Sequence, residues 1–268
     1  MGSVVTVGLL YAALVLTGLF GSDSLLFMHC RPSYKDTPEI IKLATADGKK
    51  ISALYLANPQ AEYTVLYSHG NGGDLGEYRP WLNALHDYGF AVFAYDYHGF
   101  GTSQGEPSEK ATYLDIDAAY DYVTQQLHVP PDHLIVFGRS LGGGPTAYIA
   151  ARRLVAGVIM ESTFTSGFRV VTQVSMLPFD KFYSEQNLRR VHCPVLVIHG
   201  TDDRTIPFPH GVALYRAAPG PKMHLWVDHA DHVQLPETAG KQYPDTLHAF
   251  EQLIRQQRTP PLALPSTS

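Results

Sequence analysis

Residues His133-Leu134-Ile135-Val136-Phe137-Gly138-Arg139-Ser140-Leu141-Gly142-Gly143-Gly144 decide the fold of this chain. Leu134 to Phe137 is a short, wholly apolar run, as a strand buried on both faces requires, and a strand is predicted from His133 to Phe137. Leu141 to Arg153 reads as a helix. Between them stands one serine, with Gly138 and Gly142 two residues to either side. A serine hydroxyl is a poor nucleophile unless it is held exposed beside a base, and a strained strand-to-helix turn does this. Glycines on both sides let neighbouring chain approach closely. The pentapeptide alone is a weak signal; between that strand and that helix it is a strong one, set against the plainer reading of a Gly-rich loop.

Outward from the turn, apolar runs alternate with helical patterns. Upstream come two extended stretches, Glu39 to Ala46 and Lys50 to Ala57, about the turn dipeptide Asp47-Gly48, which read as an opening hairpin. Strands Tyr63 to Ser68 and Phe90 to Tyr95 follow, with helices Leu75 to Tyr88 and Glu109 to Leu127. Downstream lie strands Ala156 to Met160, Pro194 to Ile198 and Met223 to Val227, with helices Pro207 to Ala217 and Tyr243 to Gln257. Repeated alternation of this kind needs crossovers, and so predicts an α/β fold: a mostly parallel central sheet with helices on both faces. Thr163 to Val191 breaks the alternation with aromatics and Pro178, and reads as a small helical cap over about residues 163–190.

Catalytic groups in open α/β sheets gather at the C-terminal ends of the strands. There Val195 to Pro207 delivers two carboxylates, Asp202 and Asp203, and Asp228-His229-Ala230-Asp231-His232 follows the last strand. The chain order Ser, acid, His is the one an elbow-borne triad takes in this fold. The base takes the serine proton, and the carboxylate fixes its tautomer.

These blocks resemble the α/β-hydrolase superfamily over about Thr37 to Gln257. Within it the chain is similar to the membrane-tethered α/β-hydrolase domain-containing proteins, whose eukaryotic members include protein depalmitoylases. The resemblance implies Ser140 as nucleophile, His232 as base and Asp203 as the orienting acid, with Asp202 and His229 as loop residues. His69-Gly70-Asn71-Gly72-Gly73 resembles the family's oxyanion loop, so the expected donors are the backbone N–H groups of Leu141 and Asn71, with Gly72 close behind. Tyr95 to Ser103 resembles a further family turn in which His98 replaces the usual Arg, and there Asp96 and His98 read as structural. Glu161 is the remaining candidate acid, since some relatives carry the carboxylate at that strand end.

The 268 residues suit one catalytic domain over 37–257. Twenty Lys and Arg against 25 Asp and Glu, with no basic stripe, argue against nucleic acid as a partner. Cys30 and Cys193 form no metal-ligand spacing, the histidines no His-Glu-x-x-His cluster, and Gly70 to Gly73 lacks the Lys-Ser/Thr of a phosphate loop. No cofactor or metal is expected. Val4 to Phe20 is uncharged and apolar, so residues 1–30 read as a membrane anchor or uncleaved signal, the alternative being a helix packed on the domain. Arg31 and Lys35 follow the segment and weakly favour a cytoplasmic catalytic domain, leaving the side of the membrane open. The first six residues also fit a loose myristoylation pattern. The Pro-rich tail 259–268 is expected to be disordered.

The expectation for function is a serine hydrolase acting on an ester or thioester through an acyl-enzyme, with a small-molecule or lipid-like acyl substrate, or an acylated protein. The alternatives are a peptidase, for which Glu161 and Glu185 are candidate carboxylates toward a substrate amino terminus, and a non-catalytic membrane-tethered scaffold.

Overall fold

The computed structural model describes residues 31–172 and 179–258, together with Thr6, Asp23 and residues 26–28. Its centre is an eight-stranded sheet in the order β1-β2-β4-β3-β5-β6-β7-β8. The strands are β1 (Ile40–Ala44), β2 (Lys50–Leu56), β3 (Thr64–Ser68), β4 (Ala91–Tyr95), β5 (Leu134–Arg139), β6 (Gly157–Glu161), β7 (Val195–Gly200) and β8 (Lys222–Val227). β1 pairs antiparallel with β2, and β2 antiparallel with β4; every other pairing is parallel. The hairpin turns where Asp-Gly places it, with Gly48 at φ 81° and its N–H donating to the Thr45 carbonyl at 2.9 Å.

The parallel strands are continuous apolar runs because both faces are covered. β3, β4, β6 and β7 are buried along their whole length, whereas the edge strands β1 and β8 are partly exposed. Successive side chains point to opposite faces. Leu66, Phe93, Val136, Val158 and Val197 pack on one side against helices α2 (Glu109–Asp121), α3 (Gly143–Ala150), α5 (Ser184–Leu188) and α6 (Pro209–Ala217). Val65, Phe137, Ile159 and Leu196 pack on the other side against α1 (Leu75–Asp87) and α8 (Gln242–Arg258). Helix starts follow local chemistry: the Asp74 carboxylate caps α1 by accepting from the Gly76 and Glu77 N–H groups, and Ser108 caps α2.

Several boundaries differ from expectation. The helix expected to reach Leu127 leaves α geometry after Asp121 and continues as a π turn over Tyr122–Gln126, where the Thr124 hydroxyl donates to the Tyr120 carbonyl at 2.8 Å. The helix after Ser140 opens with a 3-10 turn, Ser140–Gly142, and ends at Ala150. Within the expected cap lie α4 (Arg169–Thr172) and α5, while 173–178 fall outside the described residues. An unanticipated short helix, α7 (Leu235–Ala239), carries Pro236 in its first turn.

The expected anchor, apart from Thr6, Asp23 and residues 26–28, and the expected disordered tail 259–268 lie outside the described residues. Among the described residues no helix is long and apolar enough to cross a membrane, so the expected transmembrane helix has no support there.

Candidate active site

β5 delivers Ser140 on a bend that side chains rarely adopt, with φ 52°. For a residue with a Cβ this left-handed conformation is strained. The bend is tight because its flanks leave no room: a Cβ on Gly138 would overlap the Gly142 carbonyl oxygen, and one on Gly142 would overlap the Ser68 carbonyl of β3. The Thr163 hydroxyl donates to the Ser140 carbonyl at 2.7 Å and ties the elbow to the end of β6.

Ser140, His232 and Asp203 are brought together. His232 Nε2 lies 3.0 Å from Ser140 Oγ, and His232 Nδ1 lies 2.8 Å from Asp203 Oδ2. The other Asp203 oxygen accepts from the Thr205 and Ile206 N–H groups at 2.9 and 2.8 Å, so the loop after β7 aims one oxygen at the ring. An acceptor at Nδ1 places the imidazole proton there and leaves Nε2 free to take the serine proton. The Asp203 side chain is fully buried and that of His232 is 16% exposed, which shields the carboxylate while the imidazole stays reachable.

Asp202 and His229 point away. They lie 3.4 Å from each other with side chains 57% and 90% exposed. Asp231 shapes the turn itself, its Oδ1 accepting from the Val233 and Gln234 N–H groups. Glu161 is buried, takes a hydrogen bond from the Tyr243 hydroxyl, and has Oε1 3.4 Å from Arg139 Nε, whereas the hydrogen bond to His232 Nδ1 is made by Asp203. Burial raises its carboxyl pKa, against the pull of the Arg139 charge. Asp96 accepts from the Leu75 N–H at 2.9 Å and the Tyr34 hydroxyl at 2.6 Å, and His98 Nδ1 meets Asp115 at 2.5 Å, so both serve the scaffold. Glu185 is paired with Arg169 and Arg189 beside a separate depression.

The expected oxyanion loop borders Ser140: a Cβ on Gly70 would sit 3.3 Å from Ser140 Cβ. The Asn71 side chain is engaged elsewhere, its Nδ2 donating to the Leu26 carbonyl at 2.7 Å and its Oδ1 accepting from the Met28 N–H at 2.9 Å. Any Asn71 donor toward Ser140 is therefore its backbone N–H. Leu141 follows Ser140 in the 3-10 turn and is buried.

Two site neighbours escaped the sequence reading. His199, buried at the end of β7, hydrogen-bonds through Nε2 to the Ile206 carbonyl at 2.8 Å and lies 3.4 Å from Asp203 Oδ2; burial pushes its pKa down, which keeps it neutral. Its signal was a histidine inside an apolar strand. Arg139 lines the site between the elbow and the His232 loop. Its signal was a lone cation in a Gly-rich, apolar turn.

A groove of about 760 Å³ opens from Ser140 and His232. Its walls include Tyr78, Trp81 and Ala84 of α1, Tyr88 just after it, Val233, and Pro236 of α7, with Glu77 and Glu237 as its carboxylates.

The family model for the alpha/beta hydrolase fold matches residues 63–177. Alpha/beta hydrolase domain-containing protein 17B of Xenopus tropicalis is 39% identical over 202 residues, covering 74% of this chain and 70% of that protein. Protein 17C of the same series from Mus musculus is 38% identical over 219 residues, covering 80% and 68%. The chain belongs to the α/β-hydrolase family, and hydrolysis is the chemistry that this membership supports. Among solved structures it is similar to an esterase of Pyrococcus furiosus, with TM-score 0.69 at 19% identity over 85% of this chain and 97% of that one. It is also similar to an acetyl xylan esterase from Paenibacillus sp. R4, with TM-score 0.65 at 19% identity over 82% and 86%. At that identity these two show the shared fold.

Proposed function

We propose that this chain is a serine hydrolase that cleaves carboxylic ester or thioester bonds through a covalent acyl-enzyme. The observation that carries the reading is the unbroken hydrogen-bonded line from Ser140 Oγ through His232 to Asp203, at 3.0 and 2.8 Å, on a strained elbow facing a groove. His232 Nε2 takes the Ser140 proton as Oγ bonds to the substrate carbonyl carbon. The oxygen that becomes negative is held by the Leu141 and Asn71 backbone N–H groups. Collapse breaks the bond to the alkoxide or thiolate, which leaves with the proton from His232. A water, deprotonated by His232, then releases the acid and restores Ser140.

The aromatic and aliphatic groove wall suits a lipid-like acyl group, and membership beside the α/β-hydrolase domain-containing proteins extends the reading to acylated protein. Leu26 and Met28 bond to Asn71, so a membrane anchor in the apolar stretch before them would place the site close to the bilayer. A second reading, a peptidase holding a substrate amino terminus, draws on Glu77 and Glu237 in the groove wall, in place of the paired Glu161 and Glu185.

Turnover of p-nitrophenyl acyl esters of rising chain length, compared with aminoacyl anilides, decides between the two. Faster esters support the first reading and faster anilides the second. Fluorophosphonate labelling of wild type but not of Ser140→Ala supports both against a non-catalytic scaffold; a folded wild type that takes no label refutes them.

A further inference from the structure

Arg139 ends β5 directly opposite Glu161 at the end of β6, in parallel register. Its Nε lies 3.4 Å from Glu161 Oε1. Its Nη2 donates to the Val233 carbonyl at 2.8 Å and reaches the His232 carbonyl at 3.5 Å. Glu161 is in turn held by the buried Tyr243 hydroxyl of α8. A chain of side-chain hydrogen bonds and one ion pair thus runs from α8 through β6 and β5 to the backbone of the turn that carries His232.

A buried ion pair is a poor stabiliser, because desolvation consumes most of the attraction, and an apolar pair at the same register would cost the fold less. Such pairs serve best where they fix one geometry. The need here is specific. His232 sits between the core residues Ala230 and Leu235, but its next neighbour, Val233, is 63% exposed, so apolar packing holds the ends of the turn and not its middle. Asp203 controls the ring's rotation through Nδ1. Nothing in that bond fixes how far the turn stands from the elbow, whereas a rigid guanidinium anchored beside Ser140 and bonded to the turn's carbonyls does so.

We propose that Arg139 is a positioning residue that sets the reach of His232 to Ser140, with Glu161 and Tyr243 as its buttress. The catalytic consequence rests on the serine-hydrolase reading; the clamp itself does not. A displacement of about 1 Å between reacting groups costs on the order of a hundredfold in rate, so loss of the clamp should be read in kcat.

The test measures Arg139→Met, Arg139→Lys and Glu161→Gln for kcat and KM on p-nitrophenyl butyrate, alongside amide hydrogen exchange over 228–235. Arg139→Met is expected to lose about tenfold or more in kcat, with KM within about twofold and faster exchange in that turn. Guanidinium ion should restore part of kcat where sodium at equal ionic strength does not. Glu161→Gln, which keeps the buttress's shape but removes its charge beside Arg139, should lose less kcat than Arg139→Met, whereas loss of a triad acid would cost about 10⁴; a loss of that size would make Glu161 the acid and overturn its buttress role. A folded Arg139→Met with kcat within twofold and unchanged exchange overturns the proposal. Should that variant fail to fold, Arg139→Lys decides, because one ammonium cannot span carboxylate and carbonyl; wild-type kcat and exchange in it overturn the clamp. A wild type inert toward every ester defeats the hydrolase reading, and the exchange comparison still judges the clamp.

Discussion

Replacing Asp203 with asparagine tests the proposed triad without dismantling the loop that carries it. The wild-type carboxylate uses both oxygens: Oδ1 accepts from the Thr205 and Ile206 N–H groups, and Oδ2 from His232 Nδ1. An amide has one oxygen. Turned toward His232, it would set its own N–H groups against two backbone donors; turned toward those donors, it presents N–H to Nδ1. The second arrangement is the lower in energy, and it forces the imidazole proton onto Nε2, facing Ser140 Oγ, where no base remains. A wrong tautomer of this kind costs a serine triad about 10⁴ in kcat, or about 5.4 kcal/mol at 1.36 kcal/mol per decade.

The loop should survive, because the amide oxygen still satisfies both backbone donors. Asp203→Ala should not be so mild: it orphans them at about 1–3 kcal/mol each, and a domain of this size loses about 2–4 °C in Tm per kcal/mol. Steady-state hydrolysis of a p-nitrophenyl ester and a thermal melt on both variants separate chemistry from stability. Asp203→Asn should be nearly inactive with a near-native Tm. A folded Asp203→Asn with kcat within tenfold of wild type would refute the reasoning.

Ser140→Gly should abolish fluorophosphonate labelling and yet raise Tm. Relief of left-handed strain is worth roughly 1–2 kcal/mol, glycine's extra unfolded-state entropy returns about 0.5–1, and Ser140→Ala, which keeps the Cβ, should show no gain; a lower Tm for the glycine variant would remove the strain argument. His199→Leu should lower urea stability by about 1–3 kcal/mol by orphaning the buried Ile206 carbonyl, with a fall in kcat as the Asp203 loop loosens; unchanged stability would count against that bond. Asp115 and His98 give a pH dependence of definite sign. Burial raises the Asp115 carboxyl to about 6. Burial pulls the His98 imidazole down, but its hydrogen bonds and charge pairing with Asp115 and Asp47 outweigh this and raise it. Both groups hold protons in the folded state that the unfolded chain releases at about 3.9 and 6.5, so their contribution is fullest at low pH and is lost as pH climbs from about 4 past 6.5. Urea melts from pH 5 to 8 should show a shallower decline in Asp115→Asn than in wild type, and an equal or steeper one would contradict the assignment.

What could be read without coordinates was whatever several local signals fixed together. β5, the elbow and α3 were legible because an apolar run, flanking glycines and a helix start coincide within twelve residues. The Asp47-Gly48 turn was legible for the same reason. α7 was not, since five residues are shorter than two helical turns and its Pro236 reads as a breaker until it is known to occupy the first turn. The π turn after Asp121 was hidden because its residues keep an ordinary helical pattern. At the site, the resemblance selected Asp203 over Asp202 and His232 over His229. The structure gives those pairs different surroundings: Asp203 turns inward onto two backbone donors, while His229 takes a positive φ and faces solvent. The Arg139 clamp had no local signature, because its partners lie 22 and 94 positions away and meet only through sheet register.

The same edge of the sheet explains why groups so distant in sequence converge. β3, β5, β7 and β8 run parallel, so the loops leaving their C-terminal ends open side by side: the Gly70–Gly73 loop, the elbow, the Asp203 loop and the His232 turn. Proximity comes from topology, but alignment to a few tenths of an ångström does not, because the apolar packing of loops such as these fixes where they lie and not how each polar side chain points. Each group is therefore held by a bond to another element: Ser140 by Thr163, Asp203 by the backbone at 205 and 206, and His232 by Arg139. Strain at Ser140 and a buried ion pair at Arg139 both work against stability. Both sit at the end of β5, a strand whose first five residues are buried, and the core packed on its two faces is what offsets them.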